Sequence, residues 1–210
     1  MALSALQDAL QNTHAVTGVM VLIAYLLGSI SSAILVCRVF GLPDPRTEGS
    51  HNPGATNVMR LGGKPAAALT LLGDVLKGVI PVAVAWHLSL SALQAALVGL
   101  FAFIGHLFPL FFRFQGGKGV ATAFGVIFPL YWPAGLATGV IWLTVFAVFR
   151  ISSLASMAAF VLMPVVIWLR LPGAFWPMAA MSIVLIARHH ENIRKLLSGE
   201  ELGFRKSGDA

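Results

Sequence analysis

Apolar runs long enough to cross a bilayer recur along almost the whole of this chain, and that repetition restricts its fold more than any other feature. Charged residues make up 10% of it and apolar residues 58%. A soluble domain carries about a quarter charged residues, so the sequence is that of an all-α, polytopic integral membrane protein, with the lipid bilayer as its surroundings. The net charge of +6 is then a matter of membrane topology and does not indicate nucleic acid as a partner. Cys37 is the sole cysteine and lies in an apolar run, so there is no intrachain disulfide and no zinc-site spacing. The first fifteen residues hold Asp8 and no Lys or Arg, which is unlike the basic start of a signal peptide.

The apolar pattern divides residues 1–210, read as one membrane-embedded domain, into about seven spans. Residues 4–14 are expected to form a short amphipathic helix at the interface. The spans then run Ala15–Phe40, Pro65–Leu88, Ala92–Phe112, Val120–Leu130, Ala134–Phe149, Ser153–Leu169 and Ala174–Ala187. The fourth is short and bracketed by Pro129 and Pro133, and residues 120–149 could instead form a re-entrant pair. Pro164 is expected to kink the sixth. A polar, basic tail runs from Arg188 to Ala210, and its last residues, 199–210, are assigned no role. With seven spans, every Lys and Arg except Arg170 and the intramembrane Lys77 falls on one face. The positive-inside rule makes that face cytoplasmic, with the N-terminus outside.

Three polar clusters fall on that same face. The first is Gly49-Ser50-His51-Asn52-Pro53-Gly54-Ala55-Thr56-Asn57-Val58-Met59-Arg60. Its glycines, prolines and asparagines turn the backbone and free N–H groups, Ser50, Thr56 and Asn57 add donors, and Arg60 adds a fixed charge. Such a set suits a phosphate, though it also suits a polar loop joining two helices. The second is Gly116-Gly117-Lys118-Gly119, ahead of an apolar helix, where glycines allow close approach and the helix start favours an anion. It lacks the spacing of a Walker A loop, so ATP is not implied. The third is Arg188-His189-His190-Glu191-Asn192-Ile193-Arg194-Lys195, in which a helix would put His189 and Asn192 on one face. His190, Arg194 and Lys195 read as a membrane-surface segment. Within the second span, Asp74 and Lys77 stand at i, i+3 and read as a structural pair. His106 reads as a packing or positioning residue. Asp44 and Glu48, without a histidine, are too few for a metal site.

These motifs, in this order and over almost the whole chain, resemble the acyl-phosphate:glycerol-3-phosphate acyltransferase family of bacteria known as PlsY. Gly105-His106-Leu107-Phe108-Pro109, Phe114 to Thr122, Gly28-Ser29-Ile30 and Asp74-Val75-Leu76-Lys77-Gly78 belong to the same resemblance. His51 departs from it, because the family usually has glycine there. The resemblance implies a seven-helix enzyme of the bacterial inner membrane with its active site facing the cytoplasm. It would move a fatty acyl group from acyl phosphate to the 1-hydroxyl of glycerol 3-phosphate, giving 1-acyl-glycerol 3-phosphate (lysophosphatidic acid) and phosphate. This is the first step of bacterial phospholipid synthesis, and it implies a functional link to the enzyme that makes acyl phosphate. Ser50, Arg60, Lys118, His189 and Asn192 would hold glycerol 3-phosphate, with His189, Lys118 and Ser50 closest to the chemistry. Gly54, Thr56, Asn57, Gly116, Gly117 and Ser153 would hold the acyl phosphate.

Phosphate is a good leaving group, so this chemistry calls for no cofactor, metal or covalent nucleophile. It calls for positioning and anion stabilisation. The proton of the attacking hydroxyl could go to the leaving phosphate, as proposed for the family, or to His189. A membrane transporter of phosphate or an organic anion is the alternative from another class. It would need more polar residues at mid-membrane than Asp74 and Lys77.

Overall fold

The computed structural model describes residues 2–201 and 203, with side chains from Asn12 onward. These residues form nine α-helices and two 3-10 turns. Helix α1 covers Ala2–Gly28, α2 Ser32–Val39, α3 Ala55–His87, α4 Ala92–Leu107, α5 Val120–Leu130, α6 Trp132–Phe149, α7 Ser152–Arg170, α8 Phe175–Ala187 and α9 His190–Ser198. By length and composition, five stretches can cross a membrane: Asn12–Val39, Ala55–His87, Ala92–Phe112, Trp132–Phe149 and Ser152–Arg170. Val120–Leu130 and Pro172–Ala187 are apolar but shorter. At 1.5 Å per residue, α5 is about 16 Å long, roughly half the thickness of a hydrocarbon core.

Two boundaries differ from the sequence expectation. Residues 4–14 are not a separate helix. No glycine or proline interrupts the chain before Gly18, and α1 runs through without a break. The break comes instead at Ser29-Ile30-Ser31, inside the expected first span. There the Ser29 hydroxyl donates to the Tyr25 carbonyl (2.8 Å), and Ser31 caps α2 by accepting from the Ile34 N–H. The interruption frees the Ile30 carbonyl, which accepts from Lys77 Nζ at 2.9 Å.

The loop expected over residues 41–64 contains a helical segment that propensity does not show. Gly54 is its extended N-cap, and the helix begins at Ala55. It bends at Gly63, whose φ of 74° and ψ of −168° are open essentially to glycine alone. Pro65 then restarts the helix at the position expected for the second span.

Neighbouring helices approach closely through small residues. A Cβ at Gly78 would overlap the Thr122 carbonyl of α5, and one at Gly125 would overlap the Val75 carbonyl of α3. Side chains of intermediate length could not pack there, so α3 and α5 touch backbone to backbone. The main core lies among α1, α3, α4, α5, α7 and α8, around Phe103, Ile127, Phe160, Met163, Met178 and Leu185.

Candidate active site

The three polar clusters meet at one end of the bundle. The Arg46 guanidinium, held by Asp44 at 2.7 Å, donates to the Phe112 carbonyl (3.5 Å) and to Gln115 Oε1 (3.4 Å), joining the first loop to the second. That ion pair holds the Asp44 carboxyl below its ordinary pKa, chiefly through the Arg46 hydrogen bond, and it accounts for the acidic residue without a metal. Arg188 joins the second loop to the third cluster. Its Nη2 donates to the Gly116 and Gly117 carbonyls at 3.2 and 3.3 Å, and its guanidinium lies 5.6 Å from the centre of the Phe108 ring.

The clusters enclose a cavity of about 710 Å³. Of the residues expected at the site, Ser50, Gly54, Thr56, Arg60, Lys118, Ser153, His189 and Asn192 all line it. Asn57, Gly116 and Gly117 do not. Asn57 is fully buried and occupied with the first loop. Its Oδ1 accepts from the Ser50 N–H, and its Nδ2 donates to the Pro45 and Glu48 carbonyls, each at 2.9 Å. Asn57 thus shapes the turn that presents Ser50. Gly116 and Gly117 lie against the end of α4, where a Cβ on either would collide with His106. Their close-approach partner is protein backbone and the His106 ring. On the cavity wall their place is taken by Lys118, Gly119, Val120 and Ala121, at the start of α5.

Lys118 Nζ donates to Asn192 Oδ1. Asn192 Nδ2 donates to Glu201 Oε1 at 2.6 Å, and the Ser153 hydroxyl donates to the same oxygen at 2.5 Å. Four segments of the chain are joined by this one network. Burial lowers the pKa of Lys118 more than the nearby Glu201 and Glu191 raise it. His189 is 2% exposed, and its Nδ1 lies 2.8 Å from the Leu185 carbonyl. A carbonyl only accepts, so Nδ1 carries the proton and Nε2 of the neutral ring is an acceptor. Burial, reinforced by the Lys118 charge and opposed by the Leu185 hydrogen bond, brings the His189 pKa down to about 4.

Beneath this polar end, Asp74, Lys77 and His106 form a buried group. Asp74 Oδ1 lies 2.9 Å from Lys77 Nζ and 3.6 Å from His106 Nδ1, and Asp74 and His106 reach the cavity wall. The pairing at i, i+3 is as expected, while the contact with His106 joins α3 to α4 and is not visible in spacing. On another side the cavity becomes apolar, bounded by Ala67, Ala68, Leu71, Phe124, Trp142 and Phe146.

Sequence reasoning missed several wall residues. Glu201 falls in a segment that was assigned no role, and Lys195 lines the cavity although it reads as a surface residue. Arg188, which does not line the wall but joins the second loop to the third cluster, reads in sequence only as part of a basic cluster. Glu191 and Lys64 also line the wall. His51 has a φ of 55° and its ring lies 3.3 Å from the Arg46 carbonyl. A left-handed backbone is where glycine fits without strain, which agrees with the glycine that the family resemblance leads one to expect at this position.

The sequence model of the family described as glycerol-3-phosphate acyltransferase matches residues 18–199. The chain belongs to the glycerol-3-phosphate acyltransferase family. A glycerol-3-phosphate acyltransferase of Methylococcus capsulatus is 57% identical over 180 residues, covering 85% of this chain and 91% of that protein. One from Actinobacillus pleuropneumoniae is 50% identical over 182 residues, covering 87% and 93%. The crystal structure of PlsY, an integral membrane glycerol 3-phosphate acyltransferase, in its glycerol 3-phosphate form superposes with a TM-score of 0.86. It is 36% identical and covers 90% of this chain and 96% of that one. The lysophosphatidic acid form of PlsY gives a TM-score of 0.84 at 35% identity, covering 90% and 95%. The chain is therefore an acyltransferase, and the transporter reading falls away.

Proposed function

We propose that this member of the family takes its acyl group from acyl phosphate and places it on the 1-hydroxyl of glycerol 3-phosphate. The observation that carries this reading is the shape of the cavity. A polar end with Lys118, Arg60 and Lys64 suits phosphate, and an apolar flank between α3, α5, α6 and α7 suits an acyl chain. Ser50, Arg60, Lys118, His189 and Asn192 hold glycerol 3-phosphate. Gly54, Thr56 and Ser153 hold the phosphate of the donor, and the first turn of α5 adds its N–H groups and helix dipole. Asn57, Gly116 and Gly117 support this cradle from behind.

The hydroxyl oxygen attacks the acyl carbonyl carbon, the carbon–oxygen bond to phosphate breaks, and the leaving phosphate takes the hydroxyl proton. His189 is a weak base, since its pKa is about 4. Its Nε2 orients a glycerol hydroxyl by accepting from it. Binding and orientation supply the rate, with charge stabilisation at the departing phosphate.

Seven spans with the N-terminus outside carry the site to the cytoplasmic face of the inner membrane. The turns at Ser89 and Gly173 then lie on the opposite side. Acyl phosphate comes from a separate enzyme that phosphorylates or phosphorolyses an acyl donor, and the two are functionally linked.

The test is phosphate release by purified protein given palmitoyl phosphate and glycerol 3-phosphate. Lys118→Ala is expected to lower turnover by on the order of 100-fold, and unchanged turnover would refute this site. In a pH–rate profile, His189→Asn is expected to keep the shape of the wild-type curve while raising KM for glycerol 3-phosphate. Loss of the acid-side limb, which a general base titrating there would produce, would assign the proton to His189.

A further inference from the structure

The Glu201 carboxylate is out of place in a wall otherwise suited to phosphate. It lines the cavity proposed above for two anionic substrates, and it is close enough to Lys118 and His189 to act on both electrostatically. The other carboxylates on the wall are Asp74, which is paired with Lys77, and Glu191, which has no hydrogen bond among the described residues. Glu201 is held by two neutral donors, Ser153 and Asn192, both on Oε1. Its Oε2 makes no hydrogen bond among the described residues.

The position is specific. Ser153 belongs to the donor side of the proposed site and Asn192 to the glycerol 3-phosphate side. Glu201 bridges them, so it stands at the seam where the attacking hydroxyl must meet the acyl carbonyl. A phosphate anion brings its negative charge against the carboxylate and is repelled there. A hydroxyl has a proton to offer and is attracted, and a hydrogen bond to a charged acceptor is among the stronger kinds.

We propose that Glu201 is a substrate-binding residue that accepts hydrogen bonds from the glycerol hydroxyls and thereby selects a polyol phosphate over a bare phosphate or a plain alkyl phosphate. The inference rests on the assignment of glycerol 3-phosphate to this cavity. It gives Glu201, three residues beyond the end of α9, a part in specificity. It also explains how the polar end rejects inorganic phosphate, the reaction's own product, from the acceptor half of the site.

The experiment compares wild type, Glu201→Gln and Glu201→Asp in the phosphate-release assay, with propyl phosphate as a competitor. Propyl phosphate has the length of the substrate and none of its hydroxyls. Glu201→Gln keeps an oxygen for Ser153 and Asn192 but loses the charge. It is expected to raise KM for glycerol 3-phosphate about tenfold, to leave KM for palmitoyl phosphate within about twofold, and to make propyl phosphate an equal or better inhibitor. Glu201→Asp keeps the charge and is expected to fall between the two.

If both glycerol 3-phosphate and propyl phosphate bind more tightly to Glu201→Gln, the carboxylate only occupies a phosphate position and the proposal is wrong. Equal weakening of both ligands would show a purely structural bridge between Ser153 and Asn192, and no change in either would remove Glu201 from the site. Absence of phosphate release by the wild-type protein is a separate result, directed at the proposed reaction rather than at Glu201.

Discussion

The His189 ring shows how much a single hydrogen bond decides. Because Nδ1 donates to Leu185, the ring is a neutral acceptor toward the cavity, and protonating it would place a second charge beside Lys118. The folded pKa of about 4 lies below the ordinary 6.5. The unfolded chain therefore takes up the proton first as pH falls. This contribution to stability is full above pH 6.5 and is lost as pH drops through 4, with an upper bound of about 3 kcal/mol. Thermal unfolding in detergent at pH 7.5 and pH 4.5 is expected to show a larger drop for wild type than for His189→Asn. At this scale the sequence was legible where a side chain has one use. Lys118 and Arg60 line the cavity as their charge suggests, and so do His189 and Asn192, which the family resemblance rather than spacing alone singled out. Asn57, Gly116 and Gly117 carry the same signal as a ligand cradle, but a glycine that admits a phosphate is indistinguishable in sequence from one that admits a neighbouring helix end. Glu201 gave no signal, because one acidic residue in a polar tail is the commonest arrangement there.

The elements place these residues through two devices, a hinge and a buried charge pair. Gly63 turns the chain so that the Ala55–Gly62 segment presents Thr56 and Arg60 to the cavity. A Cβ at Gly63 would meet nothing within 4 Å, so its only constraint is conformation. Gly63→Ala is expected to strain the backbone by about 1–3 kcal/mol and to raise KM for both substrates, measured in the same assay, with spans α4 to α8 intact by circular dichroism. Asp74 and Lys77 hold α3 against α4 and against the gap between α1 and α2, since Lys77 also serves the Ile30 carbonyl. Removing one partner strands the other in an apolar surrounding. Asp74→Asn or Lys77→Met alone is expected to cost about 3–5 kcal/mol, and the double variant less than either. A thermal-unfolding double-mutant cycle reads this directly. Element boundaries were legible where proline or glycine marks them, as at Pro65 and Gly119. The Ser29–Ser31 break was not, because serines surrounded by apolar residues also occur inside continuous spans, and what stabilises this gap is a lysine 47 positions away.

For the whole molecule, the proposed topology fixes which loops share a compartment. In a Cys37→Ser background, single cysteines at Gln115 and Ser198 are expected to react with an impermeant thiol reagent only from the cytoplasmic side. Cysteines at Ser89 and Gly173 should react only from the other, and labelling of all four from one side would overturn seven spans. Apolar length alone made the membrane class plain, but it could not set the number of crossings, because α5 is too short to be counted by length. The cavity has one last consequence. Its wall is charged at one end and greasy at the other, so the two substrates proposed for it would arrive from different phases, one dissolved in water and one dissolved in the membrane. For the acyl donor, molarity in the test tube is then the wrong variable. Adding inert detergent or lipid at constant total palmitoyl phosphate should slow the enzyme by surface dilution, while leaving its dependence on glycerol 3-phosphate unchanged.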